Sequence, residues 1–200
     1  MPLPIDFYFD FSSPYSYLAA EKIDALAARF GREVSWRPIL LGAVFQHYNT
    51  TSLVKQPGQG DYALRDMARE ARFLGVPFTM PSRFPVPTQA AARAFYWLQE
   101  DDVAVAKQFA LAVFRAFYVE DKDISSPQVV LDIAAAQGID RAALDAAIHG
   151  AEAKERLKRE TEAAIAMGLF GAPWMVVDGE PFWGADRLPQ LEKWLEAGGF

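Results

Sequence analysis

From Ile5 to Phe11 the apolar residues Ile5, Phe7, Phe9 and Phe11 alternate with Asp6, Tyr8 and Asp10. A period of two is that of a strand with one buried face. Ser12-Ser13-Pro14 interrupts it, and Pro14 suits the first turn of a helix, where its missing N–H would go unpaired anyway. Apolar positions then recur at Leu18, Ala19, Ile23, Leu26, Ala27 and Phe30, a helical spacing that Gly31 closes. Val34-Ser35-Trp36 with Ile39-Leu40 predicts a second short strand, its pairing limited by Pro38. Strand, helix, strand makes a βαβ opening.

Helical periodicity dominates the next hundred residues. The spacing predicts helices over 61–74, 88–98, 103–117, 127–137, 141–148 and 151–167, with Ser125-Ser126-Pro127 and Asp140 as starts and Gly138 as a stop. Strand signals return only with Trp174-Met175-Val176-Val177 and Pro181-Phe182-Trp183, joined through the hairpin turn Asp178-Gly179. A last helix covers 188–196. The order implies an α/β chain in which residues 1–42 and 168–200 form one discontinuous sheet-bearing domain and residues 43–167 an all-helical insertion.

Composition narrows the chemistry. Apolar residues make up 52% of the 200 positions and charged residues 23%, enough to bury a core and exclude disorder. A net charge of −6 argues against nucleic acid as a partner. The apolar run over 163–177 is too short for a membrane span and is broken by Gly168, Gly171 and Pro173. With no basic leader at the N-terminus, the expectation is a soluble cytoplasmic protein. His47 and His149 lack ligand spacing, so no metal site is expected. There are no cysteines, so any thiol chemistry needs a sulfur brought from outside.

Three local signals bear on function. Ser12-Ser13-Pro14-Tyr15-Ser16 sits where a strand hands over to a helix; it reads as a plain N-cap, or as a seat for an anion facing the helix N–H groups. Gly171-Ala172-Pro173 precedes a strand; it reads as an ordinary turn, or as a cis-proline that leaves the Ala172 backbone free to pair with a bound peptide. Gly184-Ala185-Asp186-Arg187 opens the last helix, with Asp186 either capping it or receiving a ligand ammonium. Phe45, Tyr48, Phe84, Tyr96 and Trp97 are candidate pocket walls that also fit core packing.

The βαβ start, helical middle, Gly-Ala-Pro and ββα end resemble the thioredoxin fold of the bacterial disulfide oxidases, with Ser13-Pro14-Tyr15-Ser16 where those proteins carry Cys-x-x-Cys. More specifically, Phe7 through Leu18, Arg37 through Gly42, Gly171-Ala172-Pro173 and Val176 through Leu188 resemble the 2-hydroxychromene-2-carboxylate isomerases, glutathione-dependent relatives of the kappa-class glutathione transferases. The resemblance spans nearly the whole chain. It implies glutathione as cofactor, a small aromatic substrate and a homodimer. In its terms Ser13 hydrogen-bonds the glutathione sulfur and favours the thiolate, Ala172 before a cis Pro173 pairs with the cysteinyl backbone, and Asp186 holds the γ-glutamyl ammonium. Asn49, in the loop after the second strand, stands where relatives carry a polar residue near both ligands. Ser12 replaces a larger apolar residue and Ala185 a serine. A basic residue for the substrate carboxylate is expected, with Arg83 as the candidate. The implied activity is isomerisation by reversible thiolate addition. The alternatives are conjugation of glutathione to electrophiles, or a thioredoxin-like binding module without catalysis.

Overall fold

The computed structural model describes residues 3–200. Among them, β1 (Ile5–Phe9), β2 (Val34–Pro38), β3 (Trp174–Val177) and β4 (Glu180–Trp183) form one mixed sheet in the order β2-β1-β3-β4. β1 runs parallel to β2, with Phe7 opposite Trp36, and antiparallel to β3, with Phe7 opposite Met175. Alternation decides the two faces. Ile5, Phe7 and Phe9 point into the main core, where Phe7 and Phe9 meet the edge of the Trp36 ring. Tyr8, Trp174 and Val176 point the other way, onto Ile39, Val44, Ala164 and Leu169.

The first helix, α1 (Pro14–Ala28), starts as its sequence requires. Ser13 is extended at φ −101°, and its Oγ accepts the Ser16 N–H at 3.1 Å. Pro14 fills the first helical position. The last hairpin is equally literal: Asp178 and Gly179 both take positive φ, 51° and 91°, as a two-residue loop of that hand demands.

Between the two sheet-forming segments lie α2 (Leu41–His47), a short 3₁₀ turn over Leu53–Lys55, α3 (Gly60–Leu74), α4 (Gln89–Asp101), α5 (Val103–Tyr118), α6 (Pro127–Ala135), α7 (Arg141–His149) and α8 (Ala151–Ala166). A last helix, α9 (Leu188–Ala197), follows a 3₁₀ turn at Ala185–Arg187. Strand β2 ends at Pro38, two residues short of the Leu40 that the sequence suggests, and helix α2, which is not visible in the periodicity, begins at Leu41. The helical part does not keep a separate interior. Phe95 and Phe114 stand against Phe9 at centroid distances of 5.8 and 5.6 Å, so one apolar cluster runs from the sheet through α4 and α5.

Candidate active site

The β1–α1 turn opens onto a cavity of about 1250 Å³. Six stretches of chain wall it: the turn itself, the segment from Leu40 to Gln56, α3 through Tyr62, Asp66, Met67 and Glu70, the segment from Phe84 to Gln89, Phe170–Ala172 and Trp183–Arg187. Ser13 is almost fully buried and lies at the first of these. Its hydroxyl donates to the Ala172 carbonyl at 3.1 Å, so residues 159 apart in sequence meet at the centre of the site. The Ala172–Pro173 bond is cis. The Ala172 N–H donates to no backbone carbonyl among the described residues, which leaves an edge for an extended ligand.

Asp186 lines the cavity with its side chain 60% exposed, 3.6 Å from the Arg187 guanidinium. A glycine precedes this turn for a steric reason. Gly184 has φ +110°, and a Cβ there would run into the Asp186 carboxylate. Gly171 is likewise held bare, because a Cβ would come within 2.5 Å of the Trp183 indole nitrogen. Trp183 and Phe170 meet edge to face at 4.7 Å and stand half-exposed at the mouth of the cavity.

Ser13, Ala172 and Asp186 thus share one cavity. Pro173 lies directly behind Ala172, buried, and its carbonyl accepts the Gly184 N–H at 3.0 Å. Asn49 is exposed at φ 51°, just past α2; its neighbours Tyr48 and Thr50 line the cavity, and it does not. Of the aromatic candidates, Phe45, Tyr48 and Phe84 form wall. Tyr96 is buried in the core with its hydroxyl on the Pro38 carbonyl, and Trp97 packs against that core. Arg83 is an exposed partner of Asp123 and lies outside the cavity.

Several lining residues, Arg187 apart, carry no signal in the sequence. Lys55, on the 3₁₀ turn, and Arg187 are the cations of the lining. Asp66 and Glu70, one helical turn apart on α3, face the site with Asp186, and Asp66 accepts the Tyr15 hydroxyl at 2.6 Å. Burial, helped by the charges of Asp186 and Asp66, raises the Glu70 carboxyl above its ordinary value. Asp10, which the sequence shows only as a polar position beside the first strand, is buried at the foot of the cavity. The Phe84–Pro85 bond of the wall from Phe84 to Gln89 is also cis.

The DSBA-like thioredoxin domain family matches residues 4–196. The chain belongs to that family. Within this family, a 2-hydroxychromene-2-carboxylate isomerase of Sphingobium xenophagum is 32% identical over 98% of this chain and 99% of its own length. Glutathione S-transferase kappa 2 of Caenorhabditis elegans is 28% identical, covering 96% of this chain and 91% of its own. A solved 2-hydroxychromene-2-carboxylate isomerase superposes with a TM-score of 0.88 over 98% of this chain and 95% of its own, at 29% identity. The DsbA-like architecture with its helical insertion is therefore shared over nearly the full length.

Proposed function

We propose that the protein is a glutathione-dependent isomerase acting on 2-hydroxychromene-2-carboxylate, trans-o-hydroxybenzylidenepyruvate or a related aromatic intermediate. The observation that carries this reading is the buried Ser13 hydroxyl at the start of α1, bonded across the cavity to the carbonyl before a cis-proline. The relatives named as isomerases and kappa-class transferases support the same reading.

The lining fits the ligand's groups. Glutathione brings one ammonium, two carboxylates and a thiol; the cavity offers exposed Asp186 to the first, Lys55 and Arg187 to the carboxylates, and Ser13 to the sulfur. When bound, glutathione supplies a thiolate that adds reversibly to the conjugated alkene of the substrate, freeing that bond to rotate. The chain's own residues do the rest. Pro14 has no N–H and the Ser16 and Tyr17 N–H groups bond to Ser13, so the start of α1 offers the Tyr15 N–H and the helix dipole to favour the anion. Ser13 has one hydroxyl proton to donate, now on the Ala172 oxygen, and turns it onto the sulfur. The Ala172 carbonyl then takes a ligand N–H instead, so neither group is left unpaired. Phe45, Tyr48 and Phe84 exclude water and wall the aromatic ring.

The deciding experiment is a spectrophotometric isomerisation assay with and without glutathione. Turnover should need glutathione in catalytic amount only; a rate indifferent to glutathione overturns the reading. The relationship to kappa-class transferases favours conjugation as the second reading, which would instead consume glutathione mole for mole. A cytoplasmic homodimer completes the proposal, checked by light scattering and cell fractionation.

A further inference from the structure

Asp10 is a buried carboxylate, 4% exposed, whose charge is met among the described residues by hydrogen bonds alone. Burying an anion without a cation is costly, so an ion kept in this way calls for a reason. Burial pushes the carboxyl up, and three donors oppose it: the Ser12 N–H at 2.7 Å and the Thr88 hydroxyl at 3.0 Å on Oδ1, and the Leu41 N–H at 2.7 Å on Oδ2. Burial outweighs the donors, so the carboxyl stands above its ordinary value, and it is the placing of a donor on each oxygen that ties the surrounding segments together.

The three donors come from three different walls. Ser12 precedes Ser13 in the turn, Leu41 opens α2, and Thr88 ends the stretch from Phe84 before α4. The backbone repeats the pattern: the Asp10 carbonyl accepts the Ser13 N–H at 2.9 Å, and the Ser12 hydroxyl accepts the Val86 N–H at 3.0 Å. All of these residues line the cavity.

We propose that Asp10 is the positioning residue of the site. Its carboxylate braces the Ser13 turn against the α2 wall and the Phe84–Thr88 wall, so that the sulfur held at Ser13 and the substrate held between the walls meet at reacting distance. The proposal rests on the glutathione reading above and adds to it a residue that touches neither ligand.

The test uses Asp10→Asn with Thr88→Val and Thr88→Ser. An amide at position 10 turns one acceptor into a donor and sets it against one of the three hydrogens. Valine at 88 removes one donor and keeps the Asp10 side chain with its two backbone donors, so it loosens one wall without introducing a mispaired group. In the protein alone, both Asp10→Asn and Thr88→Val should speed amide exchange at Ser12 and Leu41. With glutathione, Thr88→Val should lower the ultraviolet absorbance of the bound thiolate. In turnover, kcat should fall about 100-fold for Asp10→Asn, the scale of a small misplacement of reacting groups, with KM for glutathione changed less than roughly threefold. Thr88→Ser, which keeps the hydroxyl, should restore most of the rate that Thr88→Val loses. Folded variants with wild-type kcat and unchanged exchange overturn the proposal, and so does a loss carried by KM alone. Absence of a thiolate signal in the wild-type protein overturns the glutathione reading and this proposal with it; a signal and a rate that survive in the variants overturn this proposal only.

Discussion

Ser13 serves two ends through one oxygen. It caps α1 by accepting the Ser16 N–H, and it presents a hydroxyl to the cavity. Ser13→Ala removes both, and the two losses are separable. Loss of the cap costs about 1 kcal/mol, readable in urea denaturation. Loss of the donor should lower turnover by about 100-fold or more, as for a single hydrogen bond aimed at a reacting anion. Equal glutathione affinity and equal turnover in Ser13→Ala would count against any enzymatic role. Gly184→Ala should act on Asp186 from behind, since its Cβ collides with that carboxylate in a backbone conformation that alanine avoids. Glutathione affinity measured by calorimetry should drop in Gly184→Ala and in Asp186→Asn alike. Both positions are legible in the sequence, because a glycine and an acid at a turn and a serine before a helical proline are local signals, although Asp186 caps neither the 3₁₀ turn nor α9. Asp10 and Lys55 are not. Asp10's partners Leu41 and Thr88 lie 31 and 78 residues away, and Lys55 becomes a lining residue only once the 3₁₀ turn folds over the cavity.

Helix α2 shows why one element escaped the pattern. It is seven residues long, contains Gly42, has no side-chain cap, and buries only Val44. Seven residues make just under two turns, too few for an apolar periodicity to repeat. The final hairpin is the opposite case, spelled out by Asp178-Gly179. Its turn is also tethered: Asp178 receives two hydrogen bonds from Arg32, at 2.7 and 2.6 Å, just past the end of α1. Those bonds hold the Asp178 carboxyl below its ordinary value. A depressed carboxyl stabilises the fold at pH above its unfolded value, and the gain is lost as pH falls through the lower folded one. The pair is partly exposed, so the gain is about 0.5 kcal/mol after solvent screening. Urea denaturation should therefore separate Asp178→Asn from the parent at neutral pH, and the gap should close in acid.

At the scale of the whole molecule, the α/β architecture followed from the order of signals alone, but the shared interior did not. Helical periodicity over 103–117 says which face of α5 is apolar, not that Phe114 will rest on Phe9 and Phe11 of the first strand segment. Because that cluster joins residues 1–42 to residues 43–167, thermal unfolding should be a single transition, with calorimetric and van't Hoff enthalpies in agreement. Two resolved transitions would instead mark the helical segment as an independent folding unit.

The sheet has a further consequence, for assembly. Its outer strand β2 has two carbonyls engaged by α4: the Gln99 amide donates to Trp36 and the Tyr96 hydroxyl to Pro38. The opposite outer strand, β4, is four residues long and carries Pro181, which has no N–H to offer. Both margins are thus blunted, so any pairing of two copies of this chain is expected to use contacts between side chains in preference to one continuous sheet.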